Sequence, residues 1–216
     1  MVTIVAIDGP AGSGKSSVSK AAARRLGFGY LDTGAAYRAL SWAVMNGHLS
    51  NPTEDNFNGF DYQISLDPDN FWVRSYGVDV TEEIRKPEIA QNVSAVAGVL
   101  RVRAWMKEFT RELALGATVP GVVIEGRDIT TVVFPDADVR ILLTASEEVR
   151  LERRAGELSP EALATLRQQV LERDAKDSKV VDFMNAAPGV TLVDTTNLNF
   201  EQSIQAVVDL VEGSTK

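Results

Sequence analysis

Asp8-Gly9-Pro10-Ala11-Gly12-Ser13-Gly14-Lys15-Ser16 decides how the rest of this 216-residue chain is read. It fits G-x-x-x-x-G-K-[ST] at every fixed position, and the flanks are those the pattern needs. Val2 to Ile7 is an apolar run of strand length, and Ser16 to Leu26 is a helical pattern closed by Gly27. Chemistry accounts for the spelling. Glycines let the backbone turn tightly enough for successive N–H groups to converge on a polyphosphate, and the first turn of the following helix adds unpaired donors and the positive end of its dipole. Lys15 is expected along the terminal phosphates, and the Ser16 hydroxyl on a magnesium ion. A glycine turn with a purely structural role needs no lysine followed by a hydroxyl.

The bulk composition sets the scale. The length suits one well-buried core with a small insertion or flap, which implies a single domain over residues 1–216. A hydrophobic share of 44% and a charged share of 24% are ordinary for a soluble protein. The net charge of -8 speaks against coating nucleic acid or an anionic membrane. There is no cysteine, hence no disulfide framework or thiolate metal site. No segment approaches membrane-spanning length and the first residues carry no leader pattern, so a cytoplasmic location is the default expectation; a monomer is expected separately. An acidic protein that binds polyanions must gather its arginines locally.

Outward from the loop, Phe28 to Asp32 reads as a second strand ending in an acid, and Thr33-Gly34 opens a helix that runs to about Asn46. In doubly wound α/β proteins such strand-to-helix turns share the carboxyl edge of the sheet, so Asp32, Thr33 and Arg38 are expected to face the phosphate loop. The single histidine, His48, follows a helix-ending glycine and is expected to be exposed. Tyr62–Leu66, Phe71–Ser75 and Val78–Val80 alternate as short antiparallel strands do, an insertion of about residues 61–84 with Trp72 in its core. Pro87 opens a helix. The next helix, Val99 to Leu115, carries Arg103 on a face whose direction periodicity does not decide.

Val122-Val123-Ile124 is a further buried strand, ending in Glu125-Gly126-Arg127-Asp128, and Val132 to Asp136 reads as a loop. Val139 to Leu143 is the next strand, Ser146 caps a helix bearing Arg150, Arg153 and Arg154, and the charge-dense stretch of about residues 150–182 is expected to be a helical lid. Thr191 to Thr195 is the last strand, Asn199 caps a closing helix, and residues 213–216 read as a loose tail. The fold class is therefore α/β: a P-loop NTPase-type, five-stranded parallel sheet flanked by helices, with a core of about 1–60, 85–150 and 183–216, a small antiparallel insertion and a helical lid.

A phosphate loop permits many reactions. The guanine-reading Asn-Lys-x-Asp of a GTPase switch does not occur, and no nucleophile has a histidine partner. Several arginines fall instead at expected cleft positions, which suits phosphoryl transfer to an acceptor that is already an anion. A phosphate monoester, with a second pKa of about 6, needs no general base. The protein must hold two repelling polyanions in line, and arginine forks do this well. An alcohol acceptor would call for a carboxylate base, and Asp32 or Asp128 leaves that open.

Gly9-Pro10-Ala11-Gly12-Ser13-Gly14-Lys15-Ser16, Leu31-Asp32-Thr33-Gly34-Ala35-Ala36-Tyr37-Arg38-Ala39, Gly126-Arg127-Asp128-Ile129 with Thr131 to Ala137, and Arg173-Asp174 ahead of Asp194-Thr195-Thr196 together resemble the bacterial cytidylate kinases over almost the full length. The resemblance implies magnesium- and ATP-dependent phosphorylation of CMP and dCMP to the diphosphates, with no nucleic-acid or membrane partner. It implies ATP binding by Gly9, Pro10, Ala11, Gly12, Ser13, Gly14, Lys15, Ser16 and Ser17, and CMP binding by Asp32, Thr33, Arg38, Ser94, Arg103, Arg127, Asp128, Arg173 and Asp177. Arg38 and Arg127 would hold the acceptor phosphate, while Ser94, Arg103 and Asp128 would read the cytosine edge. Asp177 would lie near the sugar. Lys15, Arg127, Asp128 and Arg173 would form the catalytic set, Arg153 and Arg154 would arrive with the lid, and Ser16 would reach the metal. The family carries one more arginine shortly after the position of Asp177; this chain has Ser178-Lys179-Val180-Val181 there. A kinase for another monophosphate such as UMP, and a nucleotide-sensing module without turnover, are the alternatives.

Overall fold

The protein is described by a computed structural model covering residues 2–155 and 184–214. Its centre is β1 (Thr3–Asp8), buried from Ile4 onward because it has a neighbouring strand on each side and a helical layer on each face. β1 pairs in parallel with β6 (Gly121–Gly126) and β7 (Val139–Thr144); β6 pairs with β2 (Gly29–Asp32), and β7 with β8 (Thr191–Asp194). The order across the sheet is β2-β6-β1-β7-β8. Strands covered on both faces read as unbroken apolar runs, which is why Val2 to Ile7 and Val122 to Ile124 were recognisable.

Side-chain alternation sends the two faces of the sheet into two cores. Ile4 and Ala6 pack with Leu31, Val122 and Ile124 against α2 (Thr33–Met45), α3 (Pro87–Ala97) and α4 (Leu100–Leu115). Val5 and Ile7 pack with Val123, Ile141 and Leu143 against α1 (Lys15–Leu26) and the last helix, α6 (Phe200–Ser214). The expected inward residues of α6, namely Ile204, Val207, Val208 and Val211, are all buried. Asn199 and Gln202 close a reciprocal cap at its start: the Gln202 N–H donates to Asn199 Oδ1 and the Asn199 N–H to Gln202 Oε1, each at 2.9 Å.

The insertion is an antiparallel meander of β3 (Tyr62–Ile64), β4 (Val73–Ser75) and β5 (Val78–Asp79). It leans on α4 through an aromatic cluster in which Trp105 stacks on Phe109 at 5.0 Å and meets Phe60 at 5.3 Å. Trp72 does not lie in this core. Val73 and Ser75 take the inward positions, so Trp72 shares the outer face with Arg74, whose guanidinium lies 4.8 Å over the indole ring. His48 is exposed as expected, though it stacks between Trp42 at 5.0 Å and Tyr76 at 5.2 Å.

Two further expectations change. Residues after Asp128 form a wide helical turn, Ile129–Val133, closed by bonds such as Phe134 N–H to the Ile129 carbonyl at 2.7 Å, rather than starting a plain loop at Val132. The Asp8 carboxylate causes this from a distance: it accepts from the Ile129 and Thr130 N–H groups at 2.9 and 2.8 Å and from the Thr130 hydroxyl at 2.6 Å. At the other end, Gly213 and Ser214 continue α6 instead of forming a tail, and Ser214 Oγ donates to the Leu210 carbonyl at 2.8 Å.

Candidate active site

The phosphate loop bridges β1 and α1. Gly12 sits at φ +81°, a left-handed conformation, with the Arg150 carbonyl 2.7 Å from where a Cβ would stand; a Cβ at Gly9 would collide with the Leu143 carbonyl. Gly14 begins α1 without a side-chain cap, which leaves the first helical N–H groups to a ligand. Three arginines, one just past the end of β6 and two on the helix after β7, hold the loop from behind. Arg127 donates to the Gly9 carbonyl, Arg150 to the Ala11 carbonyl at 2.8 Å and Arg153 to the Ser13 carbonyl at 3.0 Å. Carbonyl oxygens tied back in this way do not face an anion bound by the loop.

Lys15 reaches across to the end of β6, where Nζ meets Glu125 Oε2 at 2.5 Å. The Tyr30 hydroxyl donates to the other carboxylate oxygen at 2.9 Å, and the Ser16 hydroxyl also bonds this carboxylate. Glu125 is 2% exposed. Burial alone would raise its pKa, but the Lys15 charge and the bonds from Lys15, Ser16 and Tyr30 outweigh it and hold the carboxyl below its usual range.

The facing wall is built by β2 and α2. Asp32 caps α2 by accepting from the Ala35 N–H at 3.0 Å, and its other oxygen takes Arg38 Nη2 at 2.7 Å. The Arg38 Nε is buried and has no hydrogen-bond partner among the described residues. The Thr33 hydroxyl donates to the Glu125 carbonyl at 2.8 Å, tying the start of α2 to β6 beside the cleft. Behind them Arg103 Nη2 pairs with Asp128 Oδ2 at 2.5 Å. Burial raises the Asp128 pKa above the usual carboxylate range, with Arg103 opposing and the Asp8 charge adding to the rise. Tyr37, beside the second pair, is held protonated by burial and by Asp128, with Arg103 opposing.

Loop, wall and the helices α3 and α4 line one cleft of about 740 Å3. It brings together Pro10, Ala11, Gly12, Gly14, Lys15, Ser16 and Ser17 with Asp32, Thr33, Arg38, Ser94, Arg103, Arg127, Asp128 and Arg153. Ser13, by contrast, turns its hydroxyl into the interior. Arg103 does face the cleft, the point helical periodicity left undecided. Arg153, expected on a descending lid, lies on α5 (Glu147–Ala155) and braces the loop. The Arg154 side chain and residues 156–183, with Arg173, Asp177, Lys179 and most of the proposed lid, lie outside the described residues.

Sequence reasoning noted Glu125 only as a strand-end acid and did not place Tyr30, Arg85 or Arg150. Glu125 stands at the carboxyl end of a central strand, the signal by which it is legible as a site residue. The tyrosine and the arginines had none, since Tyr30 and Arg150 act through partners 95 and 139 positions away and Arg85 only through the cleft wall. A glycine loop with Lys15, an oxygen donor set at Ser16 and Glu125, and convergent arginines on a parallel sheet define a P-loop phosphotransferase, a kinase for a small phosphorylated acceptor. The chain belongs to the cytidylate kinase family, whose model matches residues 5–213. It is 45% identical over 215 residues to the cytidylate kinase of Streptomyces griseus subsp. griseus, covering 97% of this chain and 93% of that one. The cytidylate kinases of Streptomyces avermitilis, 46% identical over 97% and 92% of the two chains, and Cutibacterium acnes, 44% identical over 96% and 95%, are similar to it along their length as well.

Proposed function

We infer that this chain, a nucleoside monophosphate kinase, transfers the terminal phosphoryl group of ATP to CMP and to dCMP. The observation that carries the reading is the meeting of Lys15, Arg38, Arg103 and Arg127 around one cleft, although they are far apart in sequence. An oxygen of the acceptor phosphate forms the new P–O bond, the bond between the β- and γ-phosphates breaks, and ADP leaves with the electron pair. No base is needed, because the acceptor is largely dianionic at neutral pH.

In this reading Arg38 and Arg127 hold the acceptor phosphate, and Arg38 Nε, without a partner among the described residues, is a donor in waiting for it. Arg103 and Asp128 take the cytosine edge, the carboxylate accepting from the exocyclic amine where uracil would present an oxygen. Ser94 completes that side and Lys15 spreads positive charge over the transferring group. Ser16 and Glu125 offer hard oxygen donors side by side, a set that fits magnesium with phosphates and waters completing the shell; the ion supplies neutralisation of phosphate charge when bound. We place the domain limits as read from sequence: an acceptor-binding insertion at 61–84, a lid at about 150–182, and Arg154, Arg173 and Asp177 acting from it. An ADP-release assay across CMP, dCMP, UMP, AMP and GMP tests the assignment. Fastest turnover on CMP is expected, and fastest turnover on UMP or AMP refutes it.

A further inference from the structure

Two adjacent residues at the end of β1 hold the segment that leaves β6. The two strands run side by side to their last residues, Asp8 opposite Gly126, so the phosphate loop and residues 127–130 set out from neighbouring points. There Asp8 Oδ1 accepts from the Ile129 N–H at 2.9 Å, and its Oδ2 accepts from the Thr130 N–H at 2.8 Å and from the Thr130 hydroxyl at 2.6 Å. The Gly9 carbonyl, next in the chain, accepts from Arg127. Ile129 folds back over the strand end, where a Cβ on Gly126 would meet its side chain at 2.7 Å. Asp8 is 2% exposed, and a carboxylate so buried is unfavourable unless its oxygens are met, as these donors meet them. Bonds to two successive peptide N–H groups fix the planes of those peptides, and with them the direction in which the chain leaves Asp128.

We propose that Asp8 is a positioning residue for the acceptor: by pinning the turn at Ile129 and Thr130 it sets where the Arg127 and Asp128 side chains stand relative to the phosphate loop, and so governs affinity for the monophosphate and discrimination of its base. The inference rests on the kinase reading above, which gives Arg127 the acceptor phosphate and Asp128 the base. A tie meant for stability alone has a simpler form, since apolar groups of the same shape can replace a buried hydrogen-bonded set at little loss. What the carboxylate adds is direction. Three donors at fixed angles allow one placement of the turn, and the Arg103–Asp128 pair at 2.5 Å, immediately before it, follows that placement. Asp8 also runs directly into Gly9, so one residue joins the strand that carries the donor loop to the turn that carries the acceptor contacts. The two substrates are thereby set at one separation for in-line transfer.

The test is calorimetric binding of CMP, UMP and ATP, each alone, to wild type, Asp8→Asn, Thr130→Val and Thr130→Ser. An amide accepts through one oxygen only and turns its NH2 group toward a peptide N–H. Asp8→Asn is therefore expected to weaken CMP about tenfold and to narrow the CMP-to-UMP affinity ratio, with ATP within about twofold of wild type. Thr130→Val lies off the phosphate loop and removes one of the three bonds to Asp8; a loss of about threefold for CMP is expected, with Thr130→Ser restoring it. If Asp8→Asn fails to fold, the two Thr130 variants decide. CMP affinity unchanged in the folded variants overturns the proposal, as does ATP affinity falling in step with CMP, or a CMP-to-UMP ratio that keeps its wild-type value. Failure of the kinase reading shows separately, in wild type alone, as fastest turnover on UMP or AMP.

Discussion

The cations on the two sides of the cleft are held in different ways. On the acceptor side Arg38 is paired with Asp32 at 2.7 Å and Arg103 with Asp128 at 2.5 Å, and Lys15, at the floor, with Glu125 at 2.5 Å. Around the phosphate loop, Arg127, Arg150 and Arg153 donate to backbone carbonyls of Gly9, Ala11 and Ser13. A carboxylate cancels the charge it orients; a carbonyl orients the charge and leaves it nearly whole. In a chain with net charge -8, Arg153, held by the Ser13 and Thr195 carbonyls, therefore keeps positive potential beside the loop that favours a triphosphate, while the acceptor side offers ordered pairs that an incoming monophosphate must join or part. The first arrangement favours attraction and the second favours discrimination.

Lys15 stands where the two arrangements meet, and its loss has the largest expected effect. Lys15→Ala should lower kcat/KM by about 10^3 or more, because charge stabilisation at the transferring group goes with it. It should also destabilise the fold by about 3 kcal/mol, since Glu125 is left buried without its cation. Lys15→Ala/Glu125→Gln should recover most of that stability in a thermal melt and none of the activity; a double variant no more stable than Lys15→Ala breaks the paired half of the comparison. pH gives the same interaction a sign. Glu125 has its folded pKa below the ordinary 4.5, so its stabilisation is complete above that pH and fades as pH falls through the folded value. The stability gap between wild type and Glu125→Gln should close in that acid range and stay constant from pH 6 to 8.

Next in size is the loop side. Arg153→Ala removes the bonds to the Ser13 carbonyl and the end of β8, and should raise KM for ATP about tenfold while leaving KM for CMP within twofold. Equal losses for both substrates would mean that the loop braces serve the whole cleft. Smallest is the response to salt. Because the charge that Arg153 presents beside the loop is screened by salt and a buried pair much less so, KM for ATP should rise about threefold between 0.05 and 0.5 M salt, more steeply than KM for CMP.

The same difference governs what was legible in the sequence. The loop, its strand and its helix are local, set by adjacent glycines, a lysine and an apolar run, so Asp8 to Ser16 could be read directly. The acceptor side was legible as residue types at strand ends: Asp32, Thr33, Arg38, Arg127 and Asp128 all reach the cleft. Their partners were not, because pairing Arg103 with Asp128 or Tyr30 with Glu125 depends on the order of strands in the sheet rather than on neighbours in the chain. The turn after Asp128 was misread for this reason, being held by Asp8, which is 121 positions from Ile129. Trp72 was misread for a different one. Its size argued for a core, but the pleat gave the inward positions to Val73 and Ser75.

Selection of the acceptor base by a paired carboxylate is the claim on which the account turns, and the ratio of kcat/KM for CMP to that for UMP, in wild type and in Asp128→Asn, measures it most directly. An amide presents a donor as well as an acceptor to the base, so the ratio should fall from about 100 or more toward unity, chiefly through loss of CMP turnover. A ratio that stays where wild type sets it would show that Asp128 does not choose the base.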